Sequence, residues 1–169
     1  MKLNRIWIPS IAVVALIGGW IAFGGSLASS DASAEAVDLE LVYLDGTSGQ
    51  LADFRGTPVV LNFWASWCPA CIAELPDFEQ VSQKLDGEVV FIGMNMQEVD
   101  RAAADTLIAE TGVTFRLADD PEGDIFRSFA GIGMPTTVFI DSEGVVTNVH
   151  AGAVFAEDLE GLIEQHLLG

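Results

Sequence analysis

Two cysteines, Cys68 and Cys71, are the only sulfur nucleophiles in the chain, and they stand three residues apart in the run Trp67-Cys68-Pro69-Ala70-Cys71. That spacing suits thiol–disulfide exchange. The reaction needs one thiolate to attack a disulfide and a second thiol to resolve the mixed disulfide that forms. A CxxC ring is too small to staple a fold to much effect, so its use is chemical before it is mechanical. Two other readings stay open at the level of the residues. One is half of a zinc site, but zinc wants about four ligands, and the two remaining nitrogen donors, His150 and His166, fit no common zinc spacing. The other is an inert structural disulfide.

The chemistry depends on what lies on either side of the pair. Val59 to Ala65 is a continuous apolar run, as expected of a strand buried on both faces. A helix is expected from Cys68 or Pro69 to about Leu85, since proline suits a first helical turn; Pro76 inside it should produce a kink. At a helix start Cys68 meets free N–H groups and the positive end of the dipole. Its thiol should therefore ionise below the free value of about 8.5. Cys71, one turn further in, should stay protonated as the resolving thiol. Pro69 restricts the spacer, and Trp67 should shield Cys68 and contact partners. Glu74 follows Cys71 by three residues and shares its helix face, where a carboxylate can take up the Cys71 proton. The alternative for Glu74 is a first-turn acid favoured by the helix dipole.

The remaining elements alternate. Strands are expected at Leu39–Leu44, Val89–Asn95, Val113–Ala118, Thr136–Ile140 and Val145–His150. Helices are expected at Arg101–Glu110, from an Asp120-Pro121 cap to about Ala130, and at Phe155–Leu168. The order β-β-α-β-α-β-α-β-β-α predicts an α/β domain with a central mixed sheet and helices on both faces, over residues 38–169. Trp64, Met94, Met96 and the phenylalanines read as core. His150 and His166 read as strand-end and surface positions.

Ahead of that domain, Ile6 to Phe23 is an uncharged apolar run led by Lys2 and Arg5. Residues 1–27 are expected to be one N-terminal membrane helix, and residues 28–37 a flexible linker. The positive residues at its start place the N-terminus in the cytoplasm and the domain outside, on the periplasmic or outer surface. The alternative is a signal peptide cleaved at Ala32-Ser33-Ala34, which would release the domain into the same compartment. The formal net charge is −18, and every one of the 25 acidic residues lies at or after Asp31. Such a surface repels nucleic acid and anionic lipid. No metal or cofactor is expected.

The run Asn62-Phe63-Trp64-Ala65-Ser66-Trp67-Cys68-Pro69-Ala70-Cys71, followed by Glu74 and Pro76, resembles the TlpA/ResA/DsbE branch of the thioredoxin superfamily. A second block, Gly131-Ile132-Gly133-Met134-Pro135-Thr136-Thr137-Val138-Phe139-Ile140-Asp141 and then Gly144, agrees with it. The resemblance covers about residues 38–169 and implies a thioredoxin-like fold with a βα-type insertion near its middle. It implies that Pro135 is cis and faces the two cysteines, leaving the backbone of Met134 free to pair with an extended substrate. It also implies a glutamate at position 74. Thioredoxin carries a buried acid on the strand before its CxxC, whereas this chain has Asn62, which cannot titrate. Members of the branch imply a reductant of protein disulfides, with substrates such as the CxxC of apocytochrome c and a membrane electron donor of the DsbD or CcdA kind. A disulfide-forming oxidase on the same fold is the alternative within this chemistry. A non-catalytic binding or metal-handling module is the alternative outside it.

Overall fold

The computed structural model describes residues 39–169. The expected membrane helix at 1–27 and linker at 28–37 lie outside the described residues. Seven strands form one mixed sheet in the order β2-β1-β5-β4-β3-β6-β7. The strands are β1 Glu40–Tyr43, β2 Ser48–Gln50, β3 Val59–Trp64, β4 Val90–Met96, β5 Arg116–Asp120, β6 Thr136–Ile140 and β7 Val146–Ala151. β3, β4 and β5 run parallel, while β1 and β6 flank them antiparallel. Parallel neighbours need crossovers, and here they are helices: α1 Pro69–Lys84 joins β3 to β4, and α2 Arg101–Thr111 joins β4 to β5. α3 Asp124–Ser128 and α4 Ala156–Ile163 complete the set, and the last turn widens to a π-helix over Glu164–Leu168.

β3 lies between β4 and β6 and is buried along its whole length, which explains its unbroken apolar sequence. Its alternate residues serve opposite faces. Val59, Leu61 and Phe63 join Ile92, Met94, Val138, Ile140 and the α3 side chain Phe126 on one face. On the other, Val60 packs with Phe78 of α1 and Leu159 of α4, and Trp64 packs with Leu75 of α1 and Leu107 of α2. Helices therefore cover both faces, as expected. Phe63 ties the sheet to α3: its ring meets Phe126 edge-on at 5.2 Å and Phe129 at 6.3 Å. Phe126 in turn packs so tightly on Gly131 that a Cβ there would lie 2.4 Å from its ring. Glycine is thus required at 131, at the head of the segment that leads to Pro135.

Three local expectations need correction. β2 was not expected; it is three residues long and carries no large apolar side chain. β5 begins at Arg116 rather than Val113, because the Thr114 N–H and hydroxyl donate to the Glu79 carboxylate at 2.8 and 2.6 Å and hold that stretch out of the ladder. Asp120 ends β5 instead of serving as the N-cap of α3, which is Gly123 at φ +70°. Asp120 still does capping work from a distance. Its carboxylate accepts from the N–H groups of Ile125 at 3.2 Å and Phe126 at 2.8 Å. α1 continues through Pro76 without interruption.

Candidate active site

β3 ends at Trp64, and α1 begins at Pro69. The turn between them delivers Cys68 to the N-cap position, with an extended backbone at φ −102° and ψ 102°. Its sulfur accepts from the Cys71 N–H at 3.3 Å, the bond a serine or aspartate oxygen makes at other helix starts. Negative charge on this sulfur therefore faces a backbone donor and the positive end of a 16-residue helix. Cys68 and Cys71 are joined in a disulfide. Cys68 is 5% exposed and Cys71 fully buried, so an incoming sulfur reaches Cys68 first.

Cys68 opens onto an apolar groove of about 510 Å³. Trp67, Pro69 and Ala70 form one wall, Met96 and Phe126 contribute to the lining, and Gly131 to Met134 form the opposite wall. Trp67 and Ile132 stand at the rim, 46% and 89% exposed. The Met134–Pro135 peptide bond is cis, as the family resemblance implied. The Pro135 carbonyl accepts from the Gly152 N–H at 2.9 Å, whereas the N–H and C=O of Met134 have no backbone partner among the described residues. Trp67, Cys68 and Met134 are thus brought to one groove, with Pro135 directly behind its wall.

Glu74 is not a first-turn acid. It lies in the second turn of α1 with no solvent exposure. Its Oε1 accepts from the Asn62 side-chain amide at 2.8 Å, and its Oε2 from the Val154 N–H at 2.9 Å. Burial pushes its carboxyl up from 4.5 to about 7; the Val154 and Asn62 hydrogen bonds oppose that rise without cancelling it. Asn62 sits in the middle of β3, directly under α1, and its amide also donates to Thr137 Oγ1 at 3.3 Å. The position where thioredoxin has an acid is therefore occupied here by a donor to an acid on the facing helix.

Glu98, just beyond β4, went unrecognised in the sequence. Its Oε2 accepts from the Ser66 N–H at 2.8 Å and the Asn95 amide at 3.2 Å. Its Oε1 accepts from the Ser66 hydroxyl at 2.8 Å and from the N–H groups of Val99 and Asp100 at 2.9 and 3.0 Å. Burial alone would raise this carboxyl, but the hydrogen bonds from Ser66, Asp100 and Asn95 outweigh it and hold it at about 2. The neighbouring Gln97 carbonyl accepts from the Trp67 indole at 3.1 Å. An acid after an apolar strand is unremarkable in sequence, so no signal marked it. His150 lies on β7, His166 lies in the C-terminal π-turn with its ring 6.0 Å from that of Phe139, and neither lines the groove. No group of three or more potential metal-ligating side chains occurs among the described residues.

Comparison with known proteins gives a consistent result. The profile of the redoxin family matches residues 29–163. The thiol-disulfide oxidoreductase ResA of Bacillus anthracis is 30% identical over 98% of this chain and 98% of its own. The thioredoxin-like protein YneN of Bacillus subtilis is 28% identical over 91% of this chain and 94% of its own. Among solved structures, a secreted Mycobacterium tuberculosis disulfide oxidoreductase homologous to E. coli DsbE superposes with a TM-score of 0.69. It is 28% identical, and the match covers 78% of this chain and 98% of that one.

Proposed function

Because the chain belongs to the redoxin family, as a ResA/DsbE-like thiol–disulfide oxidoreductase of the thioredoxin superfamily, we propose that it works outside the cytoplasmic membrane and reduces disulfides in protein substrates. The observation that carries the chemistry is the placement of the pair. Cys68 caps α1 and opens onto the groove, while Cys71 is sealed behind it.

In the reduced enzyme the Cys68 thiolate attacks one sulfur of a substrate disulfide. That S–S bond breaks, the other substrate sulfur leaves as a thiolate, and Cys68 is joined to substrate. Cys71 then loses its proton to Glu74 and attacks the Cys68 sulfur. The mixed disulfide breaks, the second substrate thiolate leaves, and the Cys68–Cys71 disulfide forms. Two electrons have passed to the substrate, and protons return to its thiolates from Glu74 and solvent. The extended substrate segment lies along Met134, whose N–H and C=O are free to pair with it, with side chains against Trp67 and Ile132.

The direction of electron flow rests on the charge around the pair. A strong oxidant needs its reduced thiolate stabilised. Here the spacer residues Pro69 and Ala70 bring no cation to the pair, which favours a reductant. The apocytochrome c CxxC is the substrate and a DsbD- or CcdA-type membrane protein the donor that the resemblance in the two sequence blocks implies. The N-terminal apolar run led by Lys2 and Arg5 supports a single-pass anchor with the domain outside.

Equilibration of the Cys68–Cys71 couple against a thiol buffer of known potential tests the direction. A value near that of thioredoxin, about −270 mV, is expected; a value near −120 mV would make the enzyme an oxidase.

A further inference from the structure

We propose that Glu98 is a positioning residue for the attacking thiol, acting on Cys68 through Ser66. The proposal rests on the reading of Cys68 as the attacking group. Glu98 is well placed because one carboxylate gathers five donors, two of them from Ser66. Two bonds to one residue, from its N–H and its hydroxyl, fix both its place and its rotation. The next residue is fixed as well, since the Trp67 indole donates to the Gln97 carbonyl. The Cys68 N–H closes the turn onto the Ala65 carbonyl at 3.1 Å.

Ser66 and Trp67 are therefore both held from outside their own element, and the bond within the turn ties Ala65 to Cys68. The holding loop, Gln97 to Asp100, is itself tied at both ends, the Gln97 N–H donating to the Asp120 carbonyl at 3.1 Å. Gln97 adopts φ +48°, a left-handed conformation rarely taken by a side-chain-bearing residue, and Asp100 caps α2 by accepting from Ala102 and Ala103 N–H. α1 holds Cys68 itself, through the Ile72 N–H on its carbonyl at 3.1 Å, but makes no such bond to Ser66 or Trp67, which lie before the N-cap. Without the hold from the loop, rotation about the backbone of residues 66 and 67 swings the Cys68 sulfur away from the Cys71 N–H, which is the donor that stabilises its charge. Glu98 suits the task because its carboxyl at about 2 keeps it a full acceptor at any pH at which thiols react. A glutamine there must turn one N–H₂ toward donors and loses part of the set.

The test is the rate of iodoacetamide alkylation of Cys68 in the reduced full chain across about pH 5 to 10, for wild type, Glu98→Gln, Ser66→Ala and the double variant. Site-resolved labelling checks that Cys68 reacts ahead of Cys71 in wild type; failure of that check strikes the exchange reading and not the role of Glu98. The expected result for Glu98→Gln is a midpoint raised by about half to one unit and a rate at pH 7 lowered roughly 3- to 10-fold. Ser66→Ala, which removes a single hydroxyl and leaves the fold safe, should move both in the same direction by less. The double variant should match Glu98→Gln alone, since both act along one path. Three results would overturn the proposal: a loss of thermal stability with an unchanged pH–rate profile, fully additive effects of the two substitutions, or a lowered midpoint in Glu98→Gln. The last would show that Glu98 acts only as a nearby negative charge.

Discussion

A Cys71→Ser variant is expected to accumulate a mixed disulfide with its substrate through Cys68, and a Cys68→Ser variant to accumulate almost none. The asymmetry follows from burial and helix position. Cys68 touches the groove and sits at the N-cap, where its sulfur faces the Cys71 N–H. Cys71 has no exposed surface and lies behind it. Serine at 71 leaves the first attack untouched but removes the only thiol able to resolve the product, so the covalent intermediate persists. Serine at 68 removes the attacking group, and the remaining thiol cannot reach an incoming disulfide. Exchange by Cys68→Ser should fall to the uncatalysed background. Non-reducing electrophoresis followed by mass spectrometry reads both outcomes. Equal trapping by the two variants would reverse or erase the assigned roles.

The second large effect belongs to Glu74. Its carboxyl is pushed up to about 7, so in the oxidised protein it carries a proton through most of the acidic range. A group that binds its proton more tightly when folded contributes stability that is complete below the unfolded value of 4.5 and is lost as pH rises through about 7. The oxidised protein should therefore lose up to ~3 kcal/mol of stability between those limits from this one residue. Denaturant melts at a series of pH values should show the slope in wild type and its absence in Glu74→Gln, since glutamine cannot titrate. Exchange itself should slow about a hundredfold near neutral pH, the lower end of what a positioned acid–base group contributes. Its pH–rate profile should also lose the inflection near 7. Superimposable profiles would leave Glu74 a buried structural acid held by Asn62 and Val154.

The chemistry was legible because it is local. A strand, a turn and a helix start are contiguous in the chain, and a pair of thiols at that junction has few other uses. The periodicity of β3 and the positions of α1, α2, β4 and β6 were legible for the same reason: each is long or apolar enough to declare its own period. Elements held by partners remote in sequence were not. β5 starts late because Glu79, 35 residues away, captures Thr114. β2 survives only as a partner for β1 and has no pattern of its own. Glu98 and Ser66 are 32 residues apart and meet only because β3 and β4 are parallel neighbours that end at the same edge. Glu74 was found from its spacing to Cys71, yet its surroundings were not. The Asn62 amide that bonds it looked, in sequence, like the loss of a titratable group rather than part of a new one.

The most direct test of the account is a stoichiometric exchange with a disulfide-bonded protein such as insulin. Reduced enzyme should convert one substrate disulfide to two thiols for each Cys68–Cys71 disulfide formed, with the enzyme disulfide mapped by mass spectrometry and the transfer abolished in Cys68→Ser. Substrate disulfides left intact, while both enzyme thiols remain free and alkylatable, would contradict it.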